Sequence, residues 1–221
     1  MTNHLVFPTP IMEDTIESDL EQYVTELSKV DKGVTHSNRG GYQSKHFSKP
    51  EKEFQDLWEK IEIKINEYHK FCKLRGHVQI VEWWFNINYK GGMNRAHEHP
   101  HSIHSGVYYI KTSENCGNLV FPHPNQTLLW GWGGLQEENN ILNCGMVSFS
   151  PLKDSLFIFP SWCPHSVDTN QSEVITDGEL LYPSLQKCEM YEKKVNRPLQ
   201  KIQRYTYSAY CRPEVIDRVE E

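Results

Sequence analysis

The chain has little that would direct it to a membrane, a nucleic acid or an oxidising compartment. No run among its 221 residues approaches the roughly 18 consecutive apolar residues of a membrane span. Met1 to Pro10 lacks a basic start followed by an apolar core, so no signal peptide is expected. Positive charge is not in excess: 23 Lys and Arg against 29 Asp and Glu leave a formal net charge of −6. Nucleic-acid binding, which usually shows a basic face, is therefore not expected. No two of the six cysteines, at 72, 116, 144, 163, 188 and 211, are spaced like a zinc knuckle or a redox Cys-x-x-Cys. Free thiols in a reducing cytoplasm are the expectation. There is no internal repeat, low-complexity tract or second-domain boundary, and the length suffices for one domain with a substantial core.

What the chain does have is histidine. It carries 11, and five of them (97, 99, 101, 104 and 123) fall within 27 positions. In a strand, residues i and i+2 point to the same face. His97 and His99 can then chelate one metal from one strand while Glu98 points away. A third imidazole, His165 in Phe159-Pro160-Ser161-Trp162-Cys163-Pro164-His165, would complete three ligands and leave positions open for substrate and oxygen. All-nitrogen ligation without cysteine suits iron, zinc, copper or nickel. A catalytic site is favoured over a structural one, because a structural zinc would close its fourth position with a protein ligand.

The surrounding pattern predicts a mainly β fold packed on N-terminal helices. A short extended lead-in at 5–10 precedes a helix over about 13–30, with Ile16, Leu20, Tyr23, Val24 and Leu27 on one face. Residues 31–48, containing Gly40-Gly41, read as a polar connection with a plain turn. A second helix is expected over about 49–73, capped by Ser48 with Glu51 completing a capping box. It carries an apolar stripe from Phe54 to Phe71. Strands then follow: 78–89, a turn at Lys90-Gly91-Gly92, the histidine strand, 106–111, 119–121, 146–150, 156–159 and 164–167. Residues 122–143, with Trp130 and Trp132, read as a long loop. Asp177-Gly178 signals a hairpin, and 202–210 alternates strongly. Many short strands with Gly, Pro and Asn turns argue a sandwich or barrel.

Arg204 stands mid-strand with Thr206 and Ser208 on its face. Inside a barrel it would need an anion, and a guanidinium binds a carboxylate in two places. Thr206 and Tyr109 could add hydroxyl donors.

Four segments together resemble the 2-oxoglutarate/Fe(II) oxygenases. They are His97-x-His99-Pro100, Ser105-Gly106-Val107-Tyr108-Tyr109-Ile110, Gly117-x-Leu119-Val120-Phe121 and Phe159-Pro160-Ser161-x-x-x-His165-x-Val167. They are most similar to the small bacterial and phage oxygenase family that is loosely like prolyl 4-hydroxylase. Phe7-Pro8-Thr9-Pro10 and Gly40-Gly41-x-Gln43-Ser44 look like that family's opening. The resemblance implies a double-stranded β-helix (jelly-roll, cupin-like) core packed on two helices. One domain would span 1–221, with 1–75 as helical support and 76–211 as core, including an insertion at about 171–199. It implies His97, His99 and His165 as Fe(II) ligands and Arg204 as the 2-oxoglutarate anchor, with Thr206, Tyr109 and Ser105 beside the co-substrate. The implied reaction consumes O2 and 2-oxoglutarate, releases succinate and CO2, and hydroxylates a C–H bond of an unidentified peptide or small molecule. The loops at 122–143 and 171–199 would wall or cover the substrate. No membrane partner is expected, and a homodimer is left open.

The chain departs from the superfamily in two places. His99 stands where an Asp or Glu is usual, which leaves the site one charge more positive; Glu98 is the only nearby acid. The stretch from His165 to Arg204 is longer than usual, and Arg197 and Lys201 are substitutes for the anchor. Two other readings exist. Gly91 and His97-x-His99 fit a first cupin motif, and Pro160-x-Trp162-x-x-His165 resembles a second, although His104 stands where the cupin glutamate would be. That reading gives a three-His metalloenzyme without 2-oxoglutarate. The other is a non-catalytic, sugar-binding or virion-associated jelly roll using the Trp130–Trp132 loop.

Overall fold

A computed structural model of the chain describes residues 1–125, 127, 131 and 135–172, and the backbone of 179–185. The elements in order are β1 (Met12–Thr15), α1 (Glu21–Val30), β2 (Asn38–Gln43), a 3-10 turn (Lys52–Phe54), α2 (Gln55–Phe71), β3 (Glu82–His97), β4 (His104–Tyr109), β5 (Leu119–Pro122), β6 (Met146–Phe149), β7 (Ser155–Pro160), β8 (His165–Val167) and β9 (Glu179–Leu185). The expected strand at 202–210, with Arg204 and Thr206, lies outside the described residues, as do Arg197, Lys201, Trp130 and Trp132.

The strands run antiparallel in the order β1-β7-β4-β9-β3-β8-β5-β6, with β2 also on β3. β3 is long enough to serve two layers. Its first half pairs with β9 (Trp84↔Tyr182, Asn86↔Leu180) and its end pairs with β8 (His97↔His165). The ladder therefore folds over β3 into a double-stranded β-helix. Between the layers lie Trp84, Val107, Tyr109, Phe157 and Phe159 from one side and Leu119, Phe121 and Val167 from the other. On the outer face of the first layer, Trp83, Phe85, Tyr108, Ile110, Leu156 and Ile158 meet the helices. β4 is consequently buried on both faces along its whole length, as expected of a strand covered on both sides.

α2 forms because Leu57, Ile61, Ile65 and Tyr68 recur at helical spacing and all are buried. Each such aliphatic side chain contributes about 1.5–3 kcal/mol by leaving water. The expected stripe ends early, since Phe71 is exposed. The capping box is also absent. Glu51 is extended and its carboxylate accepts the Tyr23 hydroxyl, so α2 starts at Gln55 after the 3-10 turn rather than at 49.

Three further expectations are corrected. The first helix starts at Glu21, not 13, because Met12–Thr15 adds to the sheet edge beside β7 (Met12↔Ile158). Gly40-Gly41 is not a plain turn: β2 pairs with β3, and a Cβ on Gly41 would come 2.3 Å from the Ile87 carbonyl oxygen. At Lys90-Gly91-Gly92, where a turn is expected, β3 crosses from one layer to the other, and beyond it the chain comes back far enough for His99 to lie beside Trp84, ring centroids 5.5 Å apart. Between the partners Arg39↔Met93 and Gly41↔Asn88, β2 advances two residues and β3 five, so β3 bulges and continues. Gly91 supplies the positive φ of 81° the bulge needs. Asn170 fastens it, accepting from Gly91 N–H and donating its own N–H to Gly92. Finally, 171–199 is not wholly an insertion, because residues 179–185 form β9 between β3 and β4.

Candidate metal centre

His97 is the last residue of β3 and His165 the first of β8, and the two are paired across the ladder. His99 lies just past the strand end rather than in it. Pro100 has no N–H to continue a ladder, and the chain is held instead by the His99 N–H donating to the Ser161 carbonyl at 3.1 Å. The three side chains still converge: one nitrogen from each lies within 4.8 Å of the others. His99 Nε2 and His165 Nε2 lie 3.3 Å apart. Glu98 is exposed and outside the group.

The backbone fixes which nitrogen faces inward. His97 Nδ1 lies 2.7 Å from the Arg95 carbonyl oxygen, and His165 Nδ1 lies 3.2 Å from that of Cys163. A carbonyl only accepts, so in the neutral rings Nδ1 carries the proton and Nε2 presents its lone pair. This is the usual orienting contact of metal-bound histidine. Burial holds all three rings below the ordinary imidazole range: His97 is lowered, His99 is lowered to about 3, and fully buried His165 is lowered well below it. At neutral pH the site thus offers three neutral nitrogen donors, a set that fits a divalent first-row transition ion.

Ser105 and Tyr109 both face the barrel interior from β4. Ser105 Oγ is 2.7 Å from Ser161 Oγ, and Tyr109 packs its ring edge on Phe157. Sequence reasoning missed two neighbours. Trp84 has its ring centroid 5.5 Å from that of His99 and stacks at 4.5 Å on His46, whose Nδ1 is 2.6 Å from Glu82 Oε1. The signal for Trp84 was its inward parity in a strand; the polar stretch around His46 carried none.

A second histidine pair lies on the helix side. His69 Nε2 is 3.1 Å from the Arg75 carbonyl oxygen and must donate to it. His69 Nδ1 then accepts from His104 Nε2 at 2.8 Å. Burial lowers His104 to about 4. A histidine whose folded pKa is depressed stabilises the fold fully above its unfolded value near 6.5, and loses that contribution as pH falls toward the folded value. The metal-free protein should lose stability between pH 6.5 and 4, by about 1.4 kcal/mol per pH unit for each such histidine. Urea titrations across that range check this, and a stability flat with pH would contradict it.

Residues 82–175 match a sequence family described as "Putative 2OG-Fe(II) oxygenase". No curated protein matches the chain. Among solved structures the chain is similar to a prolyl-4-hydroxylase from Pseudomonas putida (12% identity, 80% of this chain and 92% of that one, TM-score 0.55). It is also similar to a Trichoplax adhaerens prolyl hydroxylase solved with a hypoxia inducible factor peptide fragment (14% identity, 86% and 87%, TM-score 0.52). A 2OG-Fe(II) oxygenase family oxidoreductase from Burkholderia pseudomallei follows (12% identity, 75% and 77%, TM-score 0.50). At these identities the structures attest the fold. The family implies Fe(II) and 2-oxoglutarate, and no helix among the described residues is long and apolar enough to cross a membrane. The segment that matches the 2OG-Fe(II) oxygenase family, residues 82–175, carries β3 to β8 and all three histidines, so over that part of its length the chain is similar to this family.

Proposed function

We propose that the protein is a 2-oxoglutarate- and Fe(II)-dependent dioxygenase that hydroxylates an unidentified peptide or small-molecule substrate. The observation that carries this is the convergence of three neutral imidazoles at one end of the double-stranded β-helix, each offering one nitrogen to a common point. His97, His99 and His165 hold the metal. When bound, Fe(II) supplies the oxygen chemistry that couples conversion of 2-oxoglutarate to succinate and CO2 with C–H hydroxylation.

The protein's part is to bind, orient and exclude water. Arg204 anchors the distal carboxylate of 2-oxoglutarate, with Thr206 as a hydroxyl donor beside it. Tyr109 and Ser105 line the co-substrate from the inner face of β4. Substrate enters past the residues around the mouth, where the exposed Trp162 stands three residues before His165.

The test is succinate formation from 2-oxoglutarate with Fe(II) and ascorbate, without added substrate, for wild type and Arg204→Ala. Wild type should turn over slowly. The variant should lose roughly 30-fold or more, the equivalent of about 2 kcal/mol for truncating a buried charge pair. Wild type forming no succinate, with no tighter iron binding when 2-oxoglutarate is added, would favour the three-His cupin reading.

A further inference from the structure

We propose that Asn86 is a recognition residue for the distal carboxylate of the oxo-acid co-substrate, reading it from within the barrel. This rests on the oxygenase reading above, and adds to it a neutral residue that no metal-site argument requires.

The side chain is placed by strand parity. Trp83 and Phe85 pack on the helices, while Trp84 belongs to the cluster between the layers. Asn86, two residues beyond Trp84, faces inward with it. It is 0% exposed. Neither its Oδ1 nor its Nδ2 has a hydrogen-bond partner among the described residues. A buried carboxamide with both polar atoms unpaired is rare in a folded protein, and it calls for a bound group or water as partner.

Two neighbours give the spot the form of a site. Gln43 is the cross-strand partner of Asn86 and shares its face, and its Oε1 is likewise buried without a partner among the described residues. On the other side, Leu180 of β9 pairs with both Asn86 and Tyr109. Asn86 and Tyr109 therefore occupy one row across the inner face of the sheet. Trp84, one inward position nearer the mouth, touches His99. The step from Trp84 to Asn86 is roughly 7 Å along the strand. That is of the order of the reach of a five-carbon oxo-diacid holding the metal at its other end.

The chemistry matches. The Asn86 amide N–H donates to a carboxylate oxygen, and its carbonyl oxygen accepts a hydrogen bond from a water. Being neutral, Asn86 is buried without needing a counter-ion of its own.

The test measures binding to the metal-loaded, anaerobic protein. The ligands are 2-oxoglutarate and pyruvate, which offers the same 2-oxo-acid chelate but no distal carboxylate. Asn86→Leu, with the same branching and the same number of heavy atoms, should weaken 2-oxoglutarate by roughly 10- to 100-fold, as expected for a lost hydrogen bond to a charged group. It should leave pyruvate within twofold. Asn86→Asp, which sets carboxylate against carboxylate, should weaken 2-oxoglutarate further. Asn86→Ser supplies a small polar substitute if the leucine variant does not fold, and should fall between wild type and aspartate. Metal affinity without oxo-acid should be equal in all variants. If 2-oxoglutarate binds the variants as it binds wild type, or if pyruvate weakens equally, the assignment of Asn86 is overturned while the oxygenase reading stands. If metal-loaded wild type binds neither oxo-acid, both fail together.

Discussion

Replacing His165 with alanine will weaken divalent metal binding by at least about 100-fold. The four ligands of a structural zinc site together supply roughly 10–16 kcal/mol, or about 3 kcal/mol each, and 1.4 kcal/mol is tenfold in affinity. His165 is the fully buried member of the three, and its Nδ1 is held by the Cys163 carbonyl. The measurement is a competition titration of Co(II) or Fe(II) against a chromophoric chelator, with near-ultraviolet circular dichroism to verify that the variant is folded. A folded variant that keeps wild-type affinity within threefold would remove the histidine cluster from consideration as the metal centre.

Changing His99 to aspartate will uncouple metal from co-substrate. Three imidazoles leave a bound divalent ion with its full double charge, whereas an aspartate cancels one unit. At about 4 Å and an effective dielectric near 20, one unit charge is worth about 4 kcal/mol, an upper bound for a site open to water. In the wild-type protein, therefore, 2-oxoglutarate should tighten metal binding by about 100-fold or more, and by linkage the metal should tighten 2-oxoglutarate equally. In His99→Asp the metal alone should bind as well or better, and the coupling should drop by roughly tenfold or more. Titrations of metal with and without saturating 2-oxoglutarate give both numbers. His99→Glu tests the longer reach, since aspartate is shorter than histidine. Equal coupling in wild type and both variants would mean that ligand charge does not set co-substrate affinity here.

The sequence was most readable where side-chain chemistry or a long period carries the information. His97, His99 and His165 could be grouped from the His-x-His spacing and the Phe-Pro-x-x-x-Pro-His setting of the third, and the structure brings one nitrogen of each within 4.8 Å of the others. The α2 stripe and strands β5 to β8 followed from spacing and from branched or aromatic residues. What failed were segments whose conformation comes from distant partners. Met12–Thr15 has too few residues to show a strand period, and it is a strand only because β7 offers an edge. Gly40-Gly41 carries the composition of a turn, yet a glycine is needed there because the Ile87 carbonyl leaves no room for a Cβ. Residues 179–185 contain the expected strand 180–182, but the partners described for it lie 71 to 102 residues earlier in β3 and β4, which no local signal shows. At the site, Asn86 was invisible because an asparagine in a strand looks like any polar residue until its burial is known.

The bulge in β3 has a bearing on how this chain can vary in length. Lys90-Gly91-Gly92 is surface-exposed in part, glycine-rich and looks like a place where residues could be gained or lost freely. It is nothing of the kind. Asn86 and His97 sit on one continuous strand on either side of it. Removing or adding a single residue there would shift the strand's register by one and turn His97 from the inside to the outside. Insertions and deletions should therefore be excluded from 89–92 among functional descendants of this sequence, and confined to segments such as 135–143 that join strands without passing a ligand.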